Sequence, residues 1–213
     1  MSRNPTPRRH HHLRRESIAR AALELIDREG LASLSMHRLA ADLHVRATNL
    51  YPYVADKEGL LHDVLELLLA EVDLSERPGV GWEDCVIAVG VSLREMALRH
   101  PHAFPLVGLA SYYDPALVGY SRRVERLFVS AGLAEELLPR LVTMLDPYAT
   151  GYLLVATQVL AKSSDGCKDA FGPDQDRLER AAGLTGELQE YVEGTLAIIA
   201  GFKIRSGIGD SPS

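Results

Sequence analysis

Cysteine is scarce in this chain. Two residues, Cys85 and Cys167, stand far apart without metal-ligand spacing, so they read as reduced packing or surface residues and not as a disulfide framework. Long apolar runs are also missing. The best candidate, Val64 to Val72, is broken by Glu66 and Glu71, which argues against a membrane span, and the amino terminus lacks the apolar stretch of a signal peptide. A cytoplasmic protein is expected. There is no HExxH pair, phosphate-cradling glycine loop or GxSxG elbow, so no catalytic residue, cofactor or metal is assigned. His100-Pro101-His102 keeps one enzymatic alternative open, a metal-dependent helical enzyme, but a metal site needs further ligands and an outer shell to orient them. Alternating strand patterns are absent from the second half of the chain.

What remains is a chain of 213 residues, 46% hydrophobic, with a formal net charge of -6. It can bury a sizeable core as one large domain or two small ones. Its charge is uneven. Residues 1–60 hold ten Lys or Arg against seven Asp or Glu, a net of +3, which leaves -9 for the rest. A basic front on an acidic body suits a reader of DNA whose body stays off the phosphates.

Residues 1–14, MSRNPTPRRHHHLR, have no apolar period and read as a flexible arm. Its arginines can follow a phosphate backbone or enter a minor groove; a solvated tail is the alternative. From Arg15 the pattern is helical, with Ile18, Ala22, Leu25 and Ile26 on one face, and Gly30 ends it. Ser35 is a good N-cap for a short helix from Met36 to Leu43, in which the small Ala40 permits a close crossing. The turn His44-Val45-Arg46 leads into a second short helix, Ala47 to Tyr53. Ala47, Leu50 and Val54 point inward there, while Thr48, Asn49, Tyr51 and Tyr53 are left facing out. Asn49 can bond adenine in two places, Arg46 can reach guanine or phosphate, and Thr48 and Tyr51 can meet thymine methyls or phosphates. Pro52 distorts or ends this helix. Asp56 then caps another that begins at Lys57, a residue placed to meet a phosphate, and Leu60, Leu61, Val64, Leu65, Leu68 and Val72 form its apolar stripe.

The ordered set Ala21-Ala22-Leu23, Gly30, Leu34-Ser35, Leu39-Ala40, Leu43, Leu50-Tyr51, Tyr53-Val54 and Lys57-Glu58 followed by Leu60-Leu61 resembles the amino-terminal domain of TetR-family transcriptional regulators. The likeness covers about residues 15–65. It implies an all-α protein with a three-helix DNA-binding domain at 15–60, built around a helix-turn-helix whose recognition helix is Ala47 to Tyr53. A helical effector-binding and dimerisation domain is implied at 61–213. On this reading Ser35, His37, Arg38, Arg46, Thr48, Asn49, Tyr51, Tyr53 and Lys57 face DNA. Two departures stand out: His44 takes the place of the usual turn glycine, and Tyr53-Val54 replaces the frequent His-Phe.

Beyond the linker Glu76 to Gly81, helices are expected from Trp82 to about Arg99, from Asp114-Pro115 to Gly132, and from about Ala134 to Lys162, the last kinked or divided at Pro147. A loop from Ser163 to Asp176, a shorter helix and a final helix from Leu184 to Arg205 complete the chain. Ala149, Gly151 and Ala156, with Gly194, Ala197 and Gly201, allow close packing of two long helices, either inside one subunit or across a four-helix dimer interface. Trp82, Met96, His100, His102, Phe104, Tyr112, Tyr113, Met144, Tyr148, Tyr152 and Gln158 combine apolar surface with polar handles and are the candidates for a small-molecule effector site. The carboxy-terminal half is most like the tetracycline-repressor type. Its VGLASYYD segment has no match for that type's metal-coordinating histidine, which argues against a magnesium-tetracycline ligand. The function so implied is a homodimeric repressor, released from a pseudo-palindromic operator by a small molecule. An activator and an effector-independent repressor are the alternatives within the binding class.

Overall fold

The computed structural model describes residues 13–110, 113–164 and 187–208. Most of the expected arm, Tyr112, Cys167, nearly all of the 163–176 loop and the shorter helix after it lie outside the described residues. Eight α-helices and no strand are present among those described: α1 (Arg15–Glu29), α2 (Met36–Asp42), α3 (Lys57–Ala70), α4 (Trp82–Arg99), α5 (Pro105–Leu109), α6 (Pro115–Ser130), α7 (Leu138–Ser164) and α8 (Leu188–Ser206).

The amino-terminal helices form because their apolar residues recur at helical spacing and their ends are capped. Ile18, Ala22, Leu25 and Ile26 of α1 are fully buried, and α1 packs along α3, whose Leu60, Val64, Leu65 and Leu68 form the facing stripe. Gly30 stops α1 at φ 84°, a mirror-extended conformation open to glycine alone. Ser35 accepts the Arg38 N–H at 3.2 Å, and Asp56 Oδ1 accepts the Gly59 N–H at 2.8 Å. Arg15 binds both carboxylate oxygens of the buried Asp63, clamping the start of α1 to α3. The boundary expected at residue 60 falls inside α3, which runs on unbroken into the body.

In the body, α4 packs on α6, α7 and α8, and α7 packs on α8. Pro115 sits in the first turn of α6 behind its cap Asp114, where a missing N–H costs nothing. Pro147, expected to kink or divide the long helix, instead lies inside a continuous α7 of 27 residues; a run of favourable helical packing on both sides outweighs the loss of one hydrogen bond. The last helix starts at Leu188, four residues later than its periodicity suggested. No helix among the described residues is long and apolar enough to cross a membrane.

Candidate nucleic-acid interface and effector cavity

After α2 the chain reverses through a left-handed residue. His44 takes φ 56°, the Val45 N–H reaches the Ala40 carbonyl at 2.9 Å and the His44 N–H reaches Ala41 at 3.1 Å, which is the paired bonding of a Schellman turn with His in the seat usually held by glycine. The segment expected as a helix from Ala47 to Tyr53 is tighter than that. Residues Ala47–Asn49 form a 3-10 turn, and further turns carry the chain to Tyr53. The reason is Pro52: with no N–H to give the Thr48 carbonyl, the i to i+4 ladder is interrupted, and Asn49, Leu50 and Tyr53 each donate three residues back, with one i to i+4 bond from Val54 to Leu50. Leu50 and Val54 are buried against the core and anchor the segment.

Around those anchors Arg46, Thr48, Asn49, Tyr51 and Tyr53 are exposed, Tyr51 by 50% and Tyr53 by 41%. His37 at the start of α2 and Lys57 at the start of α3 are exposed too. Arg46 and Lys57 make no ion pair among the described residues, so their charges are available to phosphates. Arg38 differs from that expectation. It is hydrogen-bonded to Glu29 and lies 3.7 Å from Asp42, while Arg28 holds the same Asp42 at 3.0 Å. This network locks α2 to the end of α1. The Glu29 carboxyl is held below its ordinary value by the Arg38 hydrogen bond. Ser35 spends its acceptor on the cap and keeps a hydroxyl proton to donate.

The second site is a partly open cavity of about 110 Å³ lined by four helices. It is lined from α4 by Val86, Val89, Gly90 and Leu93 and from α6 by Tyr120, Ser121, Val124, Glu125 and Phe128. Residues of α7 (Val142, Leu145, Asp146, Tyr148, Ala149) and α8 (Tyr191, Thr195) complete the lining. Each set falls on one helical face. Burial pushes the phenols of Tyr120 and Tyr191 well above their ordinary value, so both remain protonated.

Of the eleven residues expected at an effector site, Tyr148 alone lines this cavity. Tyr148 stacks on Tyr191 and Tyr152 packs tilted against both in a three-ring cluster, the Tyr148 and Tyr152 hydroxyls donating to the Tyr191 and Glu187 carbonyls. Met96 and Phe104 are fully buried core residues, and Trp82 packs edge-on against Phe202. Met144 is half-buried beside the core, Gln158 is exposed, Tyr113 is 92% exposed, and Tyr112 is not described. The residues missed by sequence reasoning had a readable signal. Tyr120, Val124 and Phe128 recur every four residues with Glu125 beside them, but core packing gives the same pattern.

His100 and His102 sit elsewhere, at the seam between the body and α1. His100 Nδ1 lies 2.7 Å from Asp27 Oδ2 and its Nε2 3.0 Å from Glu71 Oε1, while His102 Nδ1 lies 2.9 Å from the Asp27 carbonyl at the end of α1. Burial pushes the Asp27 carboxyl up, against the pull of the two histidines. Glu71 is also raised by burial, but bonds from Arg99 and His100 outweigh this and leave it lowered. A second tie runs from His62 on α3 to Asp114, the cap of α6, at 2.9 Å. The two cavity walls α4 and α6 are thus each bonded to the amino-terminal helices.

No family model matches the chain. Among curated proteins it is 36% identical over 120 residues to an HTH-type transcriptional regulator of Saccharopolyspora erythraea, covering 56% of this chain and 51% of that protein. It is 30% identical over 155 residues to the HTH-type transcriptional repressor DrrR1 of Streptomyces coeruleorubidus, covering 70% and 54%. The chain therefore spans about half the length of these curated relatives. Among solved structures, apo ActR of Streptomyces coelicolor shares 29% identity with a TM-score of 0.69, covering 92% of this chain and 97% of that one. The complex of ActR, a TetR family protein, with actinorhodin shares 28% at a TM-score of 0.68, covering 95% and 100%.

Proposed function

Because the chain belongs to the TetR family of transcriptional regulators, we propose that it is a cytoplasmic homodimeric repressor whose operator affinity falls when a small molecule enters the cavity between α4, α6, α7 and α8. One observation carries the reading: a solvent-facing polar edge and a partly open, mostly apolar cavity occur in one chain, and both walls α4 and α6 are hydrogen-bonded to the helices that hold the edge. The DNA-facing set is Ser35, His37, Arg46, Thr48, Asn49, Tyr51, Tyr53 and Lys57, with Arg38 acting as a strut behind them.

One short reading segment covers too few base pairs for specificity. Two segments on a symmetric dimer, roughly 34 to 36 Å apart, reach successive major grooves. Support for a dimer comes from apolar side chains left exposed on α7 and α8, Val155, Leu188, Leu196 and Ile204, with Gly151 and Ala197 exposed as well. Apolar surface of this kind is costly on a monomer. Gly194 and Ala149, by contrast, serve internal packing, against Tyr148 and the cavity respectively.

A ligand shifts the equilibrium only if it binds the released conformation better than the DNA-bound one. In a cavity of about 110 Å³, less than the roughly 150 Å³ that holds a benzene ring, a larger ligand becomes fully buried only by parting α6 from α4 or α7, and such movement pulls on His62-Asp114 and on His100. The experiment is selection of bound fragments from random DNA, followed by sedimentation of the complex. The reading expects an inverted repeat bound by two chains, with affinity falling steeply as salt rises; recovery of no preferred sequence, or tight binding by one chain, contradicts it.

A further inference from the structure

Resting on the regulator reading above, we propose that the cavity selects a compact, mostly apolar amine, whose ammonium group pairs with Glu125 while its ring lies among Tyr120, Phe128 and Tyr191. The charge pattern of the lining points there. No Lys, Arg or His lines the cavity, whereas two carboxylates do, Glu125 and Asp146. Glu125 is half-buried and makes no ion pair or hydrogen bond among the described residues, although the arginines Arg122 and Arg126 are its near neighbours on α6. Its helical position places it one residue past Val124 on the face that carries Tyr120 and Phe128 into the cavity. A carboxylate partly withdrawn from water beside an apolar space favours a cation and repels an anion.

Polar groups at the other wall are independent of that charge. Tyr191 is 1% exposed, and its hydroxyl makes no hydrogen bond among the described residues; the ring tip lies over Gly90 of α4, where a Cβ would stand 3.3 Å from the hydroxyl oxygen. Tyr120 also lacks a partner for its hydroxyl. Both tyrosines line the cavity, and a phenol with no protein partner can donate its hydroxyl proton to a ligand oxygen there. The same rings offer π-faces to a cation. Since the phenols remain protonated, they act as donors, and the ligand that fits all three features is a ring-bearing amine with an oxygen acceptor at the end away from the nitrogen.

Three probes of one skeleton separate charge from shape: tyramine, 2-(4-hydroxyphenyl)ethanol and 3-(4-hydroxyphenyl)propionate. Calorimetric titration of the full chain is expected to show tyramine binding at least tenfold more tightly than the neutral alcohol, with the propionate weaker than both. Glu125→Gln should bring tyramine to the level of the alcohol and leave the alcohol's affinity unchanged, which separates loss of charge recognition from loss of fold. Equal or tighter binding of the propionate, a tyramine preference that survives Glu125→Gln, or no binding of any probe at millimolar concentration overturns the amine assignment. Operator affinity measured on the same samples keeps the two readings apart. Tyramine binding through Glu125 with unchanged operator affinity leaves the ligand class standing and defeats release, whereas intact operator binding without amine selectivity does the reverse.

Discussion

Glu71 is where a single side chain carries the most traffic across the seam, since it accepts from both Arg99 and His100 while Asp27 holds the other nitrogen of the His100 ring. Its carboxyl is lowered from an ordinary 4.5 in the folded protein. A lowered carboxyl stabilises the fold above its ordinary value, and that contribution is lost as pH falls through the folded value. The melting temperature of the wild type should therefore exceed that of Glu71→Gln at neutral pH, and the gap should close below about pH 4.5; a gap that widens on acidification would reverse the sign. Gly194 makes a second point at this scale. A Cβ there would run into the ring of Tyr148, so Gly194→Ala should cost about 1–3 kcal/mol in urea unfolding, and most of that loss should vanish in a Tyr148→Ala background. Composition alone marked Gly194 as a small residue without saying which helix it met, because the identity of a neighbour is a property of packing.

Helical elements were the most legible part of the chain. The α4 boundaries, Trp82 to Arg99, follow from its apolar stripe and flanking glycine and prolines, and the caps Ser35, Asp56 and Asp114 hold the bonds their residue types imply. Proline was read less well in both directions. Pro52 turned an expected seven-residue helix into a 3-10 turn, while Pro147 left α7 continuous. The difference is context: a short segment has few bonds to spare, and a long buried helix has many. His44 was legible as an unusual turn residue, and its left-handed φ of 56° bears that out. His44→Gly should remove a steric cost of about 1 kcal/mol while loosening the unfolded chain by a comparable amount, so thermal unfolding should shift little. A large destabilisation would mean that the imidazole makes a contact beyond the turn itself.

For the whole molecule, the fold class and the amino-terminal helix-turn-helix followed from an ordered framework of small and apolar residues, whereas the cavity did not. Its lining comes from four helices scattered over more than a hundred residues, with no motif longer than a helical turn to announce it. His100 and His102 illustrate the difficulty, since histidines beside prolines suit a ligand site and a structural tie equally well; their carboxylate and carbonyl partners place them at the tie. The proposed dimer can be tested at this scale. Val155→Glu with Leu196→Glu should yield monomers at micromolar concentration by sedimentation, with operator binding weakened in parallel. Monomers that keep full operator affinity would remove the need for a symmetric pair. The most direct test of the central proposal is operator affinity of Arg46→Ala and Asn49→Ala, followed by fluorescence anisotropy on the selected inverted repeat and on point variants of it. Each substitution should weaken binding by about 1–3 kcal/mol, with Asn49→Ala also flattening the preference at one base position in each half-site. Unchanged affinity and unchanged sequence preference in both variants would contradict the assignment of this edge to DNA.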